Sequence, residues 1–500
     1  MRAYFLFFIS FTALLSILFV YSVFAEVQYE NEFLFKLKDN SDGISLAGYR
    51  SSDIDSVSEN LGIYKADYDT VENLKELGLI EYAEENSLLE LADFETSENV
   101  SLNSGETMYN DAYFEDQWYF EKHNISAAKE KSGKGKGVRI ALIDTGVVVQ
   151  EDFNPSNIEE GYNYINPDKT GNYVSESDAL ITRNHGTMGA GIICSKSNNE
   201  IGIAGIAEEA TIVPLIVYQD GTNSLDNLIR AIDDAVGKYN CDIINISLTT
   251  PNESKSLQDA VNYANENKVI VIAAAGNGRT LTNPSSGRNY LYPASCDNVI
   301  SVGAVDSDFN VTYFSQINDY VDISAAGNKL TLVGYDGVYR TGNNGTSFSA
   351  PIITGFAALM KEKYPDIDGE LFLEALKAGS YDSESAGYDI YTGFGIFDAL
   401  ESFEFMEGSR DFFISPVYID GSDINVKVFG DGISGNLILA VYDQNGKMKD
   451  FFTQYFETEN KIFARNINHD FEKGEFIKIF VFDNFYNMAP LGKIRIAKSP

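Results

Sequence analysis

Gly-Thr-Ser-Phe-Ser-Ala-Pro, residues 345–351, runs straight into the apolar positions Ile352, Ile353, Phe356, Ala357, Leu359 and Met360. Small turn-forming residues followed by an apolar run predict a buried helix with Ser347 in its first turn. Pro351 is read into that first turn as well, where a missing N–H leaves no partner waiting. Free backbone N–H groups and the positive end of the helix dipole surround a serine so placed and favour a developing negative charge. Acyl transfer through a tetrahedral oxyanion needs that environment. Gly-Thr-Ser alone is common in loops, so the reading depends on a base and an acid that could activate the serine.

The chain has three histidines. His185 opens His-Gly-Thr-Met-Gly-Ala-Gly-Ile-Ile, whose small residues suit a helix packed tightly on a neighbour. His123 lies in a polar stretch and His469 in Asn-His-Asp near the end of the chain, and both read as surface or satisfied core histidines. The acid comes from Val-Arg-Ile-Ala-Leu-Ile-Asp-Thr-Gly at 138–146, a run with the composition of a parallel strand buried on both faces. Asp144 stands at its carboxyl end, where sites collect in open α/β sheets. Alone it would read as a turn cap; beside His185 and Ser347 it reads as the orienting acid of a triad.

The order Asp144, His185, Ser347, with the stretches ALIDTG, HGTMGAGI and GTSFSAP, resembles the subtilisin-like (subtilase) serine peptidases. NNEIGIAGIA at 198–207, DIINISL at 242–248, VIAAAGN at 271–277 and YPASCDNVISVGAVD at 292–306 support the resemblance, which covers roughly residues 110–400. It implies that Asn277 donates its side-chain amide to the oxyanion beside the Ser347 N–H. It further implies a substrate strand at Ser247, Leu248 and Thr249, where relatives usually carry Ser-Leu-Gly-Gly. The primary pocket would take its walls from that strand and from Ala275, Gly276 and Asn277. Its floor would lie at Leu291, where many relatives have glycine. A leucine there makes a shallow apolar pocket that accepts Ala, Val or Leu over large aromatic rings, unless Arg279 reaches the rim and attracts an acid. Asp111, Asp152 and Asn199, with the carbonyls of Ile201 and Ile203, match positions that ligate a stabilising calcium ion in relatives. The segment after Asp144 is one residue short against them.

Composition bounds the alternatives. Five hundred residues predict two or three domains. The formal charge of −37, from 37 basic and 74 acidic side chains, argues against nucleic-acid or anionic-membrane binding. Cys194, Cys241 and Cys296 all lie in apolar segments and read as buried free thiols rather than a disulfide or metal site. Residues 1–25, with Arg2, an apolar run from Tyr4 to Val20 and Val23-Phe24-Ala25, read as a cleaved signal peptide, the alternative being an uncleaved anchor.

The expected fold class is therefore α/β, a parallel sheet with helices on both faces. Strands are expected at 138–144, 211–218, 242–248, 269–275 and 298–305, and helices at 225–237 and 255–267. Before it, residues 26–105 form a small α+β unit that resembles an inhibitory propeptide, ending in an unpatterned polar linker at 93–110. The peptidase region is set at 106–404. Residues 405–500, rich in strand and turn signals, read as a small β-sandwich-like accessory domain. The functional expectation is a secreted, autoprocessed serine endopeptidase acting on polypeptides, with its own propeptide as inhibitor. The alternative is a catalytically inactive relative that serves binding or adhesion.

Overall fold

The computed structural model describes residues 32–38, 54–91, 109–381 apart from 220 and 281, 388–407, and segments between 413 and 498. The signal segment, nearly all of the 93–110 linker and His469 lie outside the described residues.

The centre is a seven-stranded parallel sheet built from β6 (Arg139–Asp144), β7 (Tyr162–Asn163), β8 (Thr211–Ile216), β9 (Ile243–Ile246), β11 (Ile270–Ala274), β12 (Ile300–Val305) and β13 (Ile323–Ala326). Their spatial order is β13-β12-β11-β9-β6-β8-β7. Side chains alternate across a strand, and the core follows that alternation. Ile140 and Leu142 enter one apolar cluster, with Ile192 and Ile193 of α2 (Leu180–Cys194) and Ile352 and Phe356 of α5 (Thr346–Lys363). Ala141 and Ile143 enter the other, with Leu228 and Ile232 of α3 (Leu225–Gly237) and Leu257 and Val261 of α4 (Lys255–Glu266). Each face of the sheet is thus covered by its own helices.

All five expected strands and both expected helices are present. The short strands β7 and β13 were not anticipated. Pro351 is a correction: it lies in the second turn of α5, because the helix starts at Thr346. Proline there cannot donate to the carbonyl four residues back, which is that of Ser347. That carbonyl instead accepts the Ser247 hydroxyl at 3.0 Å.

The N-terminal unit is an antiparallel sheet of β1 (Glu32–Leu37), β2 (Ile54–Ser58), β3 (Ile63–Asp67) and β4 (Ile80–Glu85), in the order β2-β3-β1-β4. Helix α1 (Tyr68–Glu76), capped by Asp67 through the Thr70 N–H, covers one face with Val71 and Leu74 against Phe35 and Leu37. The other face, with Leu34, Val57 and Ile63, shares the cluster of α3 and α4. After β4 the chain forms β5 (Glu90–Leu91), which pairs antiparallel with β10 (Leu248–Thr249).

Beyond residue 412 the described segments are strands in two four-stranded antiparallel sheets. In Ser434–Tyr442 the buried Gly435, Leu437 and Leu439 alternate with the more exposed Ser434, Asn436 and Ile438, as in a half-buried strand, and Ala440 and Val441 after them are both buried. No helix among the described residues is long and apolar enough to cross a membrane.

The three cysteines are buried free thiols, with Cys241 and Cys296 pushed up to about 12 by burial. His123 is a satisfied core residue. Its Nδ1 lies 2.7 Å from the Phe397 carbonyl, its Nε2 accepts the Ala326 N–H at 3.0 Å, and burial lowers its pKa to about 4.

Candidate active site

Asp144, the last residue of β6, leaves the sheet at its carboxyl end with its side chain buried. Its Oδ1 accepts the Thr145 N–H at 2.7 Å and meets Nδ1 of His185 at 2.7 Å. A carboxylate at that distance makes Nδ1 the protonated nitrogen and leaves Nε2 as the basic one. The close approach depends on the residue after the histidine: a Cβ at Gly186 would overlap the Gly146 carbonyl and lie 3.1 Å from Asp144 Oδ1. Gly186 is further tied by its N–H to the Thr145 hydroxyl.

Ser347 is the second residue of α5, and α5 packs directly on α2, which carries His185. The Phe348 ring lies 5.8 Å from the imidazole, and the Gly189 position sits in van der Waals contact with Pro351. Ser347 Oγ is buried and makes no hydrogen bond among the described residues. Its backbone N–H belongs to the unpaired first turn of the helix.

Asn277 follows β11 and Gly276, whose φ of +104° lies where glycine is at ease. The Asn277 Oδ1 accepts both the Thr346 N–H (3.1 Å) and the Thr346 hydroxyl (3.0 Å). That fixes which end of the amide is which, and leaves the buried Nδ2 with no partner among the described residues. The same hydroxyl accepts the Gly276 N–H at 3.1 Å. Thr346 is therefore the hub that aligns the amide with the serine helix, a role that sequence reasoning missed. Its only advance signal was its place beside Ser347.

The expected substrate-binding residues come together on one side of this centre. Ser247 sits against the Ser347 carbonyl, and Leu248 and Thr249 form β10, already covered by β5. Ala275 closes the strand through its N–H to Val302. Leu291 packs on Gly276 so tightly that a Cβ there would overlap its Cδ1. The Leu291 segment is stitched to β10 by paired bonds between Thr250 and Tyr292, at 2.8 and 2.9 Å. Arg279 lays its stem along Gly287.

Asp111, Asp152 and Asn199 also converge. Asp111 accepts the Asn198 N–H at 2.9 Å; Asp152 accepts the Asn199 amide at 2.8 Å, the Ile203 N–H at 3.1 Å and the Tyr339 hydroxyl at 3.0 Å. The Asn199 Oδ1 accepts the Ile201 N–H. Burial pushes Asp152 up to about 6, the three hydrogen bonds oppose this, and the Asp111 charge adds to it. No three His, Cys, Asp or Glu side chains gather into a metal site among the described residues. Two carboxylates supplemented by amide and carbonyl oxygens are nonetheless the hard-oxygen chemistry that calcium takes. The donor set fits that ion, with the Asn199 amide the group that would have to turn.

A buried serine at a helix start, a histidine held by a carboxylate, and an amide without a partner among the described residues make this the candidate active site. The chain belongs to the subtilase family, whose model matches residues 135–395. It is 33% identical to the minor extracellular protease Epr of Bacillus subtilis (strain 168) over 66% of this chain and 48% of that protein. It is 32% identical to subtilisin BL of Lederbergia lenta over 50% of this chain and 85% of that one. It is also 32% identical to the thermophilic serine proteinase of Bacillus sp. (strain AK1), over 56% and 63%. The chain thus spans about half the length of Epr and most of the length of subtilisin BL.

Proposed function

We propose that the protein is a secreted serine endopeptidase, made as a zymogen that cleaves itself. The observation that carries this is the 2.7 Å Asp144–His185 bond beside a serine hydroxyl and an asparagine amide that both lack partners among the described residues. In the reading proposed, Ser347 Oγ attacks the substrate carbonyl and His185 Nε2 takes its proton. Asp144 holds the imidazole tautomer and stabilises its charged form. The Ser347 N–H and Asn277 Nδ2 receive the oxyanion as it forms, and His185 then protonates the leaving amine. Loss of the Asn277 donor is expected to cost about 10²–10³ in kcat with little change in KM.

Substrate binds as an extended strand on β10, through main-chain groups. The Leu291–Gly276 contact supports a shallow pocket that takes small apolar side chains. The pairing of β5 with β10 supports the N-terminal unit as an inhibitor, because it occupies that strand. The division proposed is signal peptide 1–25, propeptide 26–105, peptidase 106–404 and accessory β-rich domain 405–500. Calcium is proposed as a stabilising ion held by Asp111, Asp152, Asn199 and the carbonyls of Ile201 and Ile203.

The test is a fluorophosphonate probe applied to the processed protein. Labelling at Ser347, lost in Ser347→Ala and in His185→Ala, is expected. A folded, processed protein that is not labelled would leave only a binding or adhesion role for the fold.

A further inference from the structure

The three segments that carry Asp144, His185 and Ser347 meet again at one corner of the site, around Tyr335. The Tyr335 carbonyl accepts the side-chain amide of Gln150, shortly after Asp144, at 2.7 Å. Its N–H donates to Asn184 Oδ1 at 3.1 Å and its hydroxyl accepts from Arg183 Nη1 at 2.9 Å, both residues lying just before His185. Tyr335 itself sits in the turn between β14 (Leu330–Val333) and β15 (Tyr339–Asn343), the strand that leads into Ser347. The Val148 N–H, bonded to the Thr187 hydroxyl at 3.0 Å, ties the first segment to α2.

Arg183 is the charge at this corner. Its guanidinium lies over the Tyr335 ring, 4.9 Å from the centroid. The ring and one hydrogen bond hold it in place without neutralising it, and it enters no ion pair among the described residues. Arg340, in the same hairpin as Tyr335, is by contrast neutralised by both oxygens of Asp336, at 2.9 and 2.7 Å. The chain has 74 acidic side chains against 37 basic ones, so a cation left without an acid is against the odds. The buried Arg183 Nε has no partner among the described residues, and neither has Nδ2 of the wholly buried Asn184. The corner therefore carries donors in excess, and an ionised carboxylate only accepts. Around it stand three exposed apolar side chains, Val149, Leu180 and Val338, one from each segment.

Arg183 and His185 are two positions apart in α2, so their Cα atoms lie about 5 Å from each other. An extended substrate advances about 3.3 Å per residue. A side chain that meets the guanidinium therefore belongs within about two residues of the severed bond. Resting on the peptidase reading above, we propose that Arg183 recognises an acidic side chain of the substrate at that distance, glutamate in particular. The carboxylate pairs with the guanidinium in a charge-assisted hydrogen bond, and the methylenes of glutamate lie against the apolar rim. Leu291 then selects for size and Arg183 for charge.

The experiment uses the processed enzyme and a host peptide that it cuts at a single bond. Glu or Gln is placed in turn at the two positions before that bond and the two after it, and kcat/KM is measured for each pair. At one or more positions Glu is expected to exceed Gln by about five-fold or more. The ratio should shrink in about 1 M salt, where charges are screened beyond about 3 Å. Arg183→Gln should abolish the preference, and Arg183→Lys should keep part of it. An arginine that only braces Tyr335 would lower both rates together and leave the ratio as it was. Equal rates for Glu and Gln at all four positions of the wild-type enzyme overturn the proposal, and that arm needs no variant to fold. A Glu preference that survives Arg183→Gln wherever it occurs overturns it as well. Both results leave the peptidase reading intact. Cleavage of no peptide, together with no labelling of Ser347, overturns that reading and this proposal with it.

Discussion

The central seven-stranded sheet and the N-terminal four-stranded sheet are finished in different ways. The seven-stranded sheet is covered on both faces by helices of the same region, so alternate residues of β6 enter two separate clusters. The four-stranded sheet has one helix of its own. Its second face is closed by α3 and α4, with Leu34, Val57 and Ile63 joining their cluster. Polar contacts follow the same division. Glu84 accepts from Ser254 Oγ and from the Lys255 and Ser256 N–H groups at the start of α4, and Asn86 accepts the Asp226 N–H at the start of α3. A sheet of four short strands with a single helix buries little apolar surface alone. The first unit therefore closes its second face on the larger region, as the inhibitory role proposed for it requires.

The largest effect that bears on this contrast comes from Ser347→Ala. It should leave the precursor as one uncut chain and lower peptide hydrolysis by roughly 10⁶, the order seen when subtilisin loses its serine. Gel mass and turnover of a peptide substrate check both. Neighbouring residues of β1 separate the two faces of the small sheet. Leu34→Ala and Phe35→Ala should each cost about 2–5 kcal/mol, in different currencies. The first should weaken inhibition by the N-terminal unit added in trans, read as a raised inhibition constant. The second should lower the unit's own helix and sheet content, read by circular dichroism.

Acid gives a smaller effect on the same interface. Burial alone would raise Asp226, but the Lys65 charge and hydrogen bonds from Ser224, Asn86 and Lys65 outweigh it and hold the carboxyl below 3.8. Burial likewise opposes Lys65, yet Asp226 and Glu32 hold it above 10.5. A depressed acid strengthens the complex above its ordinary value and loses that contribution as pH falls through the depressed one. A raised base contributes below its ordinary value and loses it as pH rises through the raised one. Affinity of the two units should thus be flat from about pH 5 to 10 and fall below the ordinary carboxylate range. Asp226→Asn should weaken binding at neutral pH and flatten that acid limb, as titration calorimetry would show. The smallest effect is confined to the larger region: excess EGTA should lower its melting temperature by a few degrees, about 1 kcal/mol. An unchanged melting point would remove calcium from the account.

Much of the larger sheet was legible because its strands are continuous apolar runs and α3 and α4 carry clear helical periods. Asp144, His185 and Ser347 were legible from chemistry and order: a strand-end acid, one histidine among small residues, a serine opening an apolar helix. Asn277 and the calcium set came from resemblance, since neither spacing nor period marks an amide that waits for a ligand. The missed elements share a physical reason. β13, Ile-Ser-Ala-Ala, is too short and too poor in branched or aromatic side chains to announce a strand, and β7 is only two residues long. Thr346 as hub, the Ser247–Ser347 bond and the β5–β10 register join residues about 70 to 160 positions apart. Local pattern carries no trace of such pairs. Pro351 was misplaced because helix starts are uncertain by a residue or two.

If the chain is the self-cleaving zymogen proposed above, the pairing of β5 with β10 also sets the kinetic order of its activation. While the chain is intact, the strand and the nucleophile share one molecule, so the first cut proceeds at a rate independent of protein concentration. Once it is made, the same contact joins two separate molecules, and its occupancy follows their concentrations. On that proposal a dense solution of freshly cut enzyme would stay silent, and dilution into a larger volume, or destruction of one fragment by the first enzyme to lose its own, would spread activity through the rest.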